Sequence, residues 1–448
     1  MRRGGNIMKS ATRRIALPIS ALAILALALS ACSAATPGSP SGNVGTADGI
    51  VKIEGPLIGT DATLLEKSWA GWAKANHIKI EYSGSSDFQE QIGGEAQQGN
   101  TPDLAIFEQP GLINDLATRG YIQKLPATVQ STVDSTFPTQ WASYTTVGST
   151  DYAAPLLATV NGWVFYSPAA FSALNLKAPS DWADLLTLTE YLRAKSSQPP
   201  WCEGFSSNAS SGAAGEQWID DLVLRESGPS VYDQWVSHKV SFSDPVIQKA
   251  FADAGEILQN KDWVNAGSGG VASINTTSTT QVAKALESGK CLMTLEPSSF
   301  VDDLERTGDG HNDIGPSQKI WAFVLPPTTA GSTPFTESGD FVAAFSNDAD
   351  TVKVQNYLAS TAWAKSRMAL GGAISPAKTI SPSDSPDVLL NTSIEMMQGA
   401  PENARLSASD LMPSVVGEGT FLSGMVDWIN GTATSKVLAT IDGSWPKS

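Results

Sequence analysis

Val51-Lys52-Ile53-Glu54, Ile78-Lys79-Ile80-Glu81-Tyr82 and Asp103-Leu104-Ala105-Ile106-Phe107 are the stretches from which the fold can be read. The first two alternate apolar and polar side chains, the period of a strand with one buried face. The third is apolar after its first residue, the pattern of a strand covered on both sides. Between the first two, Leu65, Trp69, Trp72, Ala73 and Asn76 recur at helical spacing. Ser86-Asp87-Phe88-Gln89 predicts a capping box opening a second helix, and a third runs from about Gly111 to a stop at Gly120. The order β-α-β-α-β-α signals an α/β lobe around a largely parallel sheet.

Further on, helices dominate. Ser180 is expected to cap one whose apolar face is Trp182, Leu185, Leu186, Thr189 and Leu192. Asp244-Pro245 opens another, with Ile247, Ala250, Phe251, Ala254, Ile257 and Leu258 at 3.6-residue spacing. A helix over 281–288 stops at Gly289, and strands are expected at 291–295, 320–325 and 341–345. From Asp350 onward the pattern is helical with Gly, Ser and Pro breaks. No solenoid-type repeat is present.

A chain of 448 residues suggests about three domains or two large ones. A hydrophobic content of 41% with mean hydropathy −0.09 rules out a multi-span membrane protein. The 29 Lys and Arg against 45 Asp and Glu give −16, without a basic block, so no nucleic-acid partner is expected. His77, His238 and His311 stand far apart, and none has the spacing of a zinc motif. No metal and no cofactor is expected.

Residues 1–14 carry Arg2, Arg3, Lys9, Arg13 and Arg14 and no acid; residues 15–30 are a mostly apolar run broken by Pro18. That run is shorter than the ~20 residues of a spanning helix. Residues 1–31 therefore read as an export signal, with Met8 a second candidate start and Thr12-Arg13-Arg14 a weak twin-arginine hint. Leu29-Ser30-Ala31-Cys32 resembles the bacterial lipobox, whose Cys becomes acylated; an ordinary cut beside an incidental Cys is the alternative. Residues 32–49, rich in Ser, Gly, Pro, Thr and Ala, read as a flexible tether. The expectation is attachment to the outer face of the cell membrane through Cys32. Losing residues 1–31 removes five basic side chains and takes the net charge from −16 to −21. Cys202 and Cys291 then remain, a candidate disulfide in an oxidising compartment, with two buried thiols as the alternative.

No catalytic constellation emerges: GxSxG, a P-loop and GxGxxG after a strand are all missing. Asp220-Asp221 and Asp302-Asp303 are carboxylate pairs, as glycosidases use. Adjacent acids on a helix point apart, however, and solvated surface is the expected reading. Trp69, Trp72 and Trp182 are expected in the core. Trp163 after Asn161-Gly162, Trp218 before Asp220, and Phe421 after Gly417-Glu418-Gly419 stand at breaks beside polar residues. A pyranose stacks its apolar face on such a ring and gives its hydroxyl protons to carboxylates. Those three rings are candidates for a sugar platform or for core.

Ile80-Glu81-Tyr82-Ser83-Gly84-Ser85-Ser86-Asp87-Phe88, Gly99-Asn100-Thr101-Pro102-Asp103-Leu104-Ala105, Gln109-Pro110-Gly111 and Leu116-Ala117 resemble the extracellular solute-binding proteins of ABC sugar importers, the α-glucoside-binding branch in particular. Pro199-Pro200-Trp201-Cys202, Trp218-Ile219-Asp220-Asp221, Ala408-Ser409-Asp410-Leu411-Met412-Pro413, Gly419-Thr420-Phe421 and Trp428-Ile429-Asn430-Gly431 continue the resemblance, in order, over residues 50–448. It implies a two-lobed periplasmic-binding-protein fold of the α/β class, each lobe a sheet flanked by helices, with the ligand cleft between them. The implied first lobe is 50–157 plus 318–342, and the second is 158–317 plus 343–448. Implied ligand contacts are Glu54, Ser85, Asp87 and Gln109 at the first-lobe rim. Trp163, Trp218, Asp220, Asp410, Phe421 and Trp428 come from the second lobe, and Asp340 from the third crossover.

The implied function is not enzymatic. A monomeric receptor captures an oligosaccharide, such as an α-glucoside, by hinge closure and passes it to ABC transporter permease subunits. An extracellular glycoside hydrolase is the alternative, and a binding protein for a non-sugar solute such as a peptide is the third reading. Relatives often carry basic and amide residues where this chain has Glu296-Pro297-Ser298-Ser299, and a second aromatic where it has Leu422.

Overall fold

The computed structural model describes residues 47–207, 210–304, 314–328 and 334–447. The expected export signal, Cys32, the tether up to residue 46, and His311 lie outside the described residues.

Strands β1 (Ile50–Gly55), β2 (Lys79–Gly84) and β3 (Leu104–Phe107) run parallel, with β1 in the middle. Helices α1 (Gly59–Ala75) and α2 (Phe88–Gln98) join them, and α3 (Pro110–Thr118) follows. Val51 and Ile53 are buried while Lys52 is exposed, and all four residues of β3 are buried, as the alternating and continuous patterns require. The remaining strands are β4 (Thr146–Val147), β5 (Thr150–Asp151), β6 (Ala153–Val160), β7 (Trp163–Tyr166), β8 (Met293–Glu296), β9 (Trp321–Val324), β10 (Phe335–Ala344) and β11 (Ala404–Leu406). β10 runs antiparallel to β3 and β6 and parallel to β11, which completes a six-stranded sheet. A second, antiparallel sheet has the order β8-β7-β9.

These sheets define two lobes. One core centres on Val51, Ile53, Leu104, Ile106 and Phe341. The other, on the helical side of the small sheet, centres on Val164, Leu222, Phe251, Phe421 and Trp428. The helix Pro245–Leu258 shows why the pattern was readable. Asp244 accepts from the Val246 amide, Pro245 occupies the first turn, and the six predicted apolar residues are all buried.

Several boundaries differ from expectation. The capping box at Ser86 does not form: α2 starts at Phe88 after Asp87, whose side chain makes no cap bond, and the Ser86 hydroxyl reaches only Asp87 Oδ1. Asp181, not Ser180, caps the helix Trp182–Lys195, while Ser180 donates to Asp184. Trp72 is half-buried and stacks on Tyr357 at 4.2 Å.

The lobe segments differ as well. β9 pairs with β7 and so belongs to the small sheet, not to the first lobe. β10 stays in the large sheet for ten residues, and the helices Ala349–Leu358 and Thr361–Met368 pack on α1, β1 and β10. Trp363 Nε1, for example, donates to Ser68 of α1 at 2.9 Å. The last passage between lobes therefore falls after β11, near Ser407, and not at Asp340. A strand paired on both edges has no freedom to leave its sheet.

A buried ion pair fastens the other two passages. Arg225 and Asp221, one turn apart in the helix Ala213–Val236, meet at 2.5 Å with both side chains shielded from water. Arg225 Nε donates to the Leu325 carbonyl, just after β9, and Thr336 of β10 donates to the same Asp221 oxygen. Gly162, between β6 and β7, has φ of 77°, and a Cβ there would lie 2.6 Å from Asp221 Oδ2 and 2.8 Å from Arg225 Nη2. Asp220 and Asp221 are thus both buried, contrary to the solvated surface expected of them.

Two further carboxyls, Glu203 and Glu337, are buried. Glu203 accepts from Trp218 Nε1 and the Leu295 amide, and Glu337 of β10 lies beside Trp141. Loss of water pushes each up to about 8.

Cys202 and Cys291 form a disulfide, with Cα atoms 5.8 Å apart. The Cys202 amide donates to Met293, so the bridge stitches residues 201–202 onto the start of β8. Peptide mapping of exported protein without reductant is expected to recover Cys202 linked to Cys291. Replacing both by Ser should lower stability by roughly 4 kcal/mol for a span of 89 residues. Two free thiols in exported protein would contradict the pairing.

Candidate functional site

Between the lobes lies a cavity of about 420 Å³. Its walls come from the ends of secondary-structure elements. Glu108 and Gln109 follow β3, Asn161 lies between β6 and β7, and Ser338 and Asp340 belong to β10. From the second lobe, Glu216 lies in the first turn of the helix Ala213–Val236, Asp410 lies in the short helix Ala408–Leu411, and Glu418 lies in the wide turn Val415–Phe421. Gly417 lets that turn approach: a Cβ there would overlap the Ser409 carbonyl.

The walls are acidic and polar. Asp61, Glu90 and Asp302 add carboxylates, and Arg367 is the one basic side chain among the described lining residues. No Trp, Tyr or Phe is among the described lining residues. Burial raises the carboxyls of Glu108, Glu216 and Asp410, and it pushes those of Asp340 and Glu418 up to about 8. Mutual repulsion adds to this. Glu108 lifts Asp340 on the neighbouring strand and Asp410 and Glu418 on the second lobe, and Asp220 lifts Glu216 and Asp410. Among the lining residues, four buried polar atoms have no hydrogen-bond partner: Asn161 Oδ1, Gln109 Oε1, Glu216 Oε1 and Glu418 Oε1. A buried acceptor without a donor is costly, so these residues have hydrogen-bonding capacity left unused beside the cavity.

Of the expected contacts, the structure brings Gln109, Asp340 and Asp410 to the cavity. The others lie elsewhere. Glu54 is half-buried on β1, where burial and Glu95 raise its carboxyl. Ser85 accepts from the Asp87 amide, and Asp87 is exposed at the start of α2. Trp163 is enclosed in β7, between β8 and β9. Trp218 is fully buried against Trp201. Phe421 is fully buried between Trp235 and Phe242, and Trp428 packs on Phe251 and donates to Thr434. Asp220 accepts from Ser407 and the Ala408 amide, which pins the turn carrying Asp410. It acts on the cleft through its neighbours.

Sequence reading passed over Glu108, Asn161, Glu216, Ser338 and Glu418 as site residues. Each sits within a few residues of a position it did single out: Gln109, Trp163, Trp218, Asp340 and Phe421. The motifs were in the right loops, and the side chain next along faced the cleft. The two departures from the resembled pattern also fall here, since Pro297, Ser299 and Leu422 line the cavity.

Two lobes, three passages and a polar cleft are the architecture of a solute receptor, and the chain belongs to the bacterial extracellular solute-binding protein family, whose pattern it matches over residues 56–365. The osmoprotective compounds-binding protein GgtB of Synechocystis sp. is 32% identical over 403 residues, covering 89% of this chain and 92% of that one. The alpha-glucosides-binding periplasmic protein AglE of Rhizobium meliloti is 29% identical, covering 88% and 86%. Among solved structures, the bacterial solute receptor AcbH superposes with a TM-score of 0.73 at 16% identity, over 88% of this chain and 97% of its own. At that identity the likeness concerns the fold. The named sequence relatives are solute-binding proteins rather than enzymes.

Because Trp218 and Phe421 are core, Trp218→Ala and Phe421→Ala should each cost about 3–5 kcal/mol of stability in the ligand-free protein. Denaturant unfolding measures this. A variant with normal stability and weakened ligand binding would return that ring to the site.

Proposed function

We propose that this protein is a lipid-anchored receptor that takes an α-glucoside or related oligosaccharide into the cleft and delivers it to an ABC transporter permease. The observation that carries the reading is the convergence of acceptor groups from both lobes, Glu108, Asp340, Glu216, Asp410 and Glu418, with amides at Gln109 and Asn161, on one cavity. Sugar hydroxyls both donate and accept, so they pair with carboxyl groups in either protonation state and with side-chain amides. A ligand bridging both walls binds the closed arrangement better than the open one, and that difference in affinity shifts the population toward closure. The names of GgtB and AglE, osmoprotective compounds and alpha-glucosides, support the same ligand class. Cys32 supplies the anchor in this reading, and residues 32–49 the reach to the permease.

A thermal-shift panel of maltose, trehalose, sucrose and raffinose tests the proposal. At least one is expected to raise the midpoint, since a ligand that binds only the folded state stabilises it by mass action. Asp410→Asn should weaken that ligand ten-fold or more. No shift with any α-glucoside overturns the ligand class, and turnover of one overturns the receptor reading in favour of a hydrolase. The anchor is tested separately: Cys32→Ala should release the protein into the medium with its ligand affinity unchanged. Full membrane retention of the variant would remove Cys32 from the anchor.

A further inference from the structure

Five acidic groups, Glu108, Asp340, Glu216, Asp410 and Glu418, meet at the cleft, and Arg367 is the one basic side chain among the described lining residues. Glu108 on the first lobe repels Asp340, Asp410 and Glu418, and Asp410 and Glu418 in turn act on Glu216. The groups that oppose this repulsion at Glu108, Glu216 and Asp410 are neutral: the Gln89 amide and the hydroxyls of Ser409 and Ser338. Arg367 acts on Asp340 from one end. Glu216 is only 5% exposed, and its Oε1, like Oε1 of Glu418, is buried without a partner while its residue lines the cavity. A buried carboxylate needs charge as well as hydrogen bonds to compensate it.

Three occupants could bring positive charge. A bare metal ion needs several ligands around one point, and among the described residues no group of three or more His, Cys, Asp or Glu is placed to hold one. A quaternary ammonium offers no N–H donor and is held by aromatic faces, which the described lining does not contain. A protonated primary or secondary amine supplies both charge and donors directed at separate oxygens. The remaining wall, Asn161, Gln109, Gln217 and serines at 207, 210 and 299, calls for hydroxyls on the same molecule.

We infer that the cleft selects a polyhydroxylated ligand bearing a protonated amine, an amino sugar or amino-glycoside, over the matching neutral sugar. This rests on reading the cleft as a sugar site and names the ligand class within it.

Calorimetry on the soluble chain in neutral, low-salt buffer tests it with two matched sugar sets and one amine without a sugar ring. These are glucose with glucosamine and N-acetylglucosamine, trehalose with 2-amino-2-deoxytrehalose, and spermidine alone. The expected result is at least ten-fold tighter binding of the amine in each sugar set, an advantage lost on N-acetylation and reduced by salt. Glu216→Gln combined with Glu418→Gln should narrow the ratio between amine and neutral sugar. Equal or tighter binding of the neutral sugars overturns the inference and leaves the sugar-receptor proposal standing. Spermidine bound more tightly than every amino sugar overturns it by removing the need for hydroxyls. If no sugar in either set binds, the inference falls, and the panel of maltose, sucrose and raffinose decides the sugar-receptor proposal separately.

Discussion

Arg225 and Asp221 meet where no water reaches them, and the relation between the lobes depends on their meeting. The pair is local in sequence, yet its outer bonds reach Leu325 and Thr336, which lie at opposite ends of the connection from β9 to β10. Thr336 in turn accepts from the Asn161 amide, and Leu325 donates to Gly162. Two of the three passages are thus tied to one helix. A buried pair of this kind adds little net stability, but removing one partner strands a charge and costs about 3–5 kcal/mol. What it supplies is position: the strands bend where these bonds hold them.

The same helix runs two stripes at four-residue spacing. Glu216 and Asp220 lead toward the cleft, the first lining it and the second pinning the Asp410 turn. Asp221 and Arg225 lead to the passages. A rigid shift of this one element moves a cleft wall and both fastened passages together. The cleft therefore combines a rigid frame with a lining that is electrostatically unsatisfied, and an unsatisfied lining gains most from a ligand that supplies what it lacks.

The α/β lobe was legible because β1 and β3 obey simple burial rules over four to six residues, and the helix at 245–258 because its start signal and apolar stripe agree. The site was only half legible. Trp218 and Phe421 stand beside acids and glycines, but such neighbours occur equally where a ring closes a core. Nothing in the local pattern distinguishes Glu203 accepting from Trp218 from a sugar hydroxyl stacked on it. The passage after β11 was hidden for a different reason. Which edge of a strand is paired depends on residues far away, here β6 on one side and β3 and β11 on the other, and the continuity of β10 past Asp340 carries no local mark.

Glu203 and Glu337 have a consequence beyond the fold they sit in. Each keeps its proton to about 8 when folded, whereas an unfolded glutamic acid loses it near 4.5. Between those values the folded chain holds more protons than the unfolded one, so stability is full at the acidic end and falls as pH rises through the window. Folding at neutral pH must draw protons from the surroundings, and the newly exported chain acts as a weak base while it folds. In a mildly acidic medium that uptake costs less.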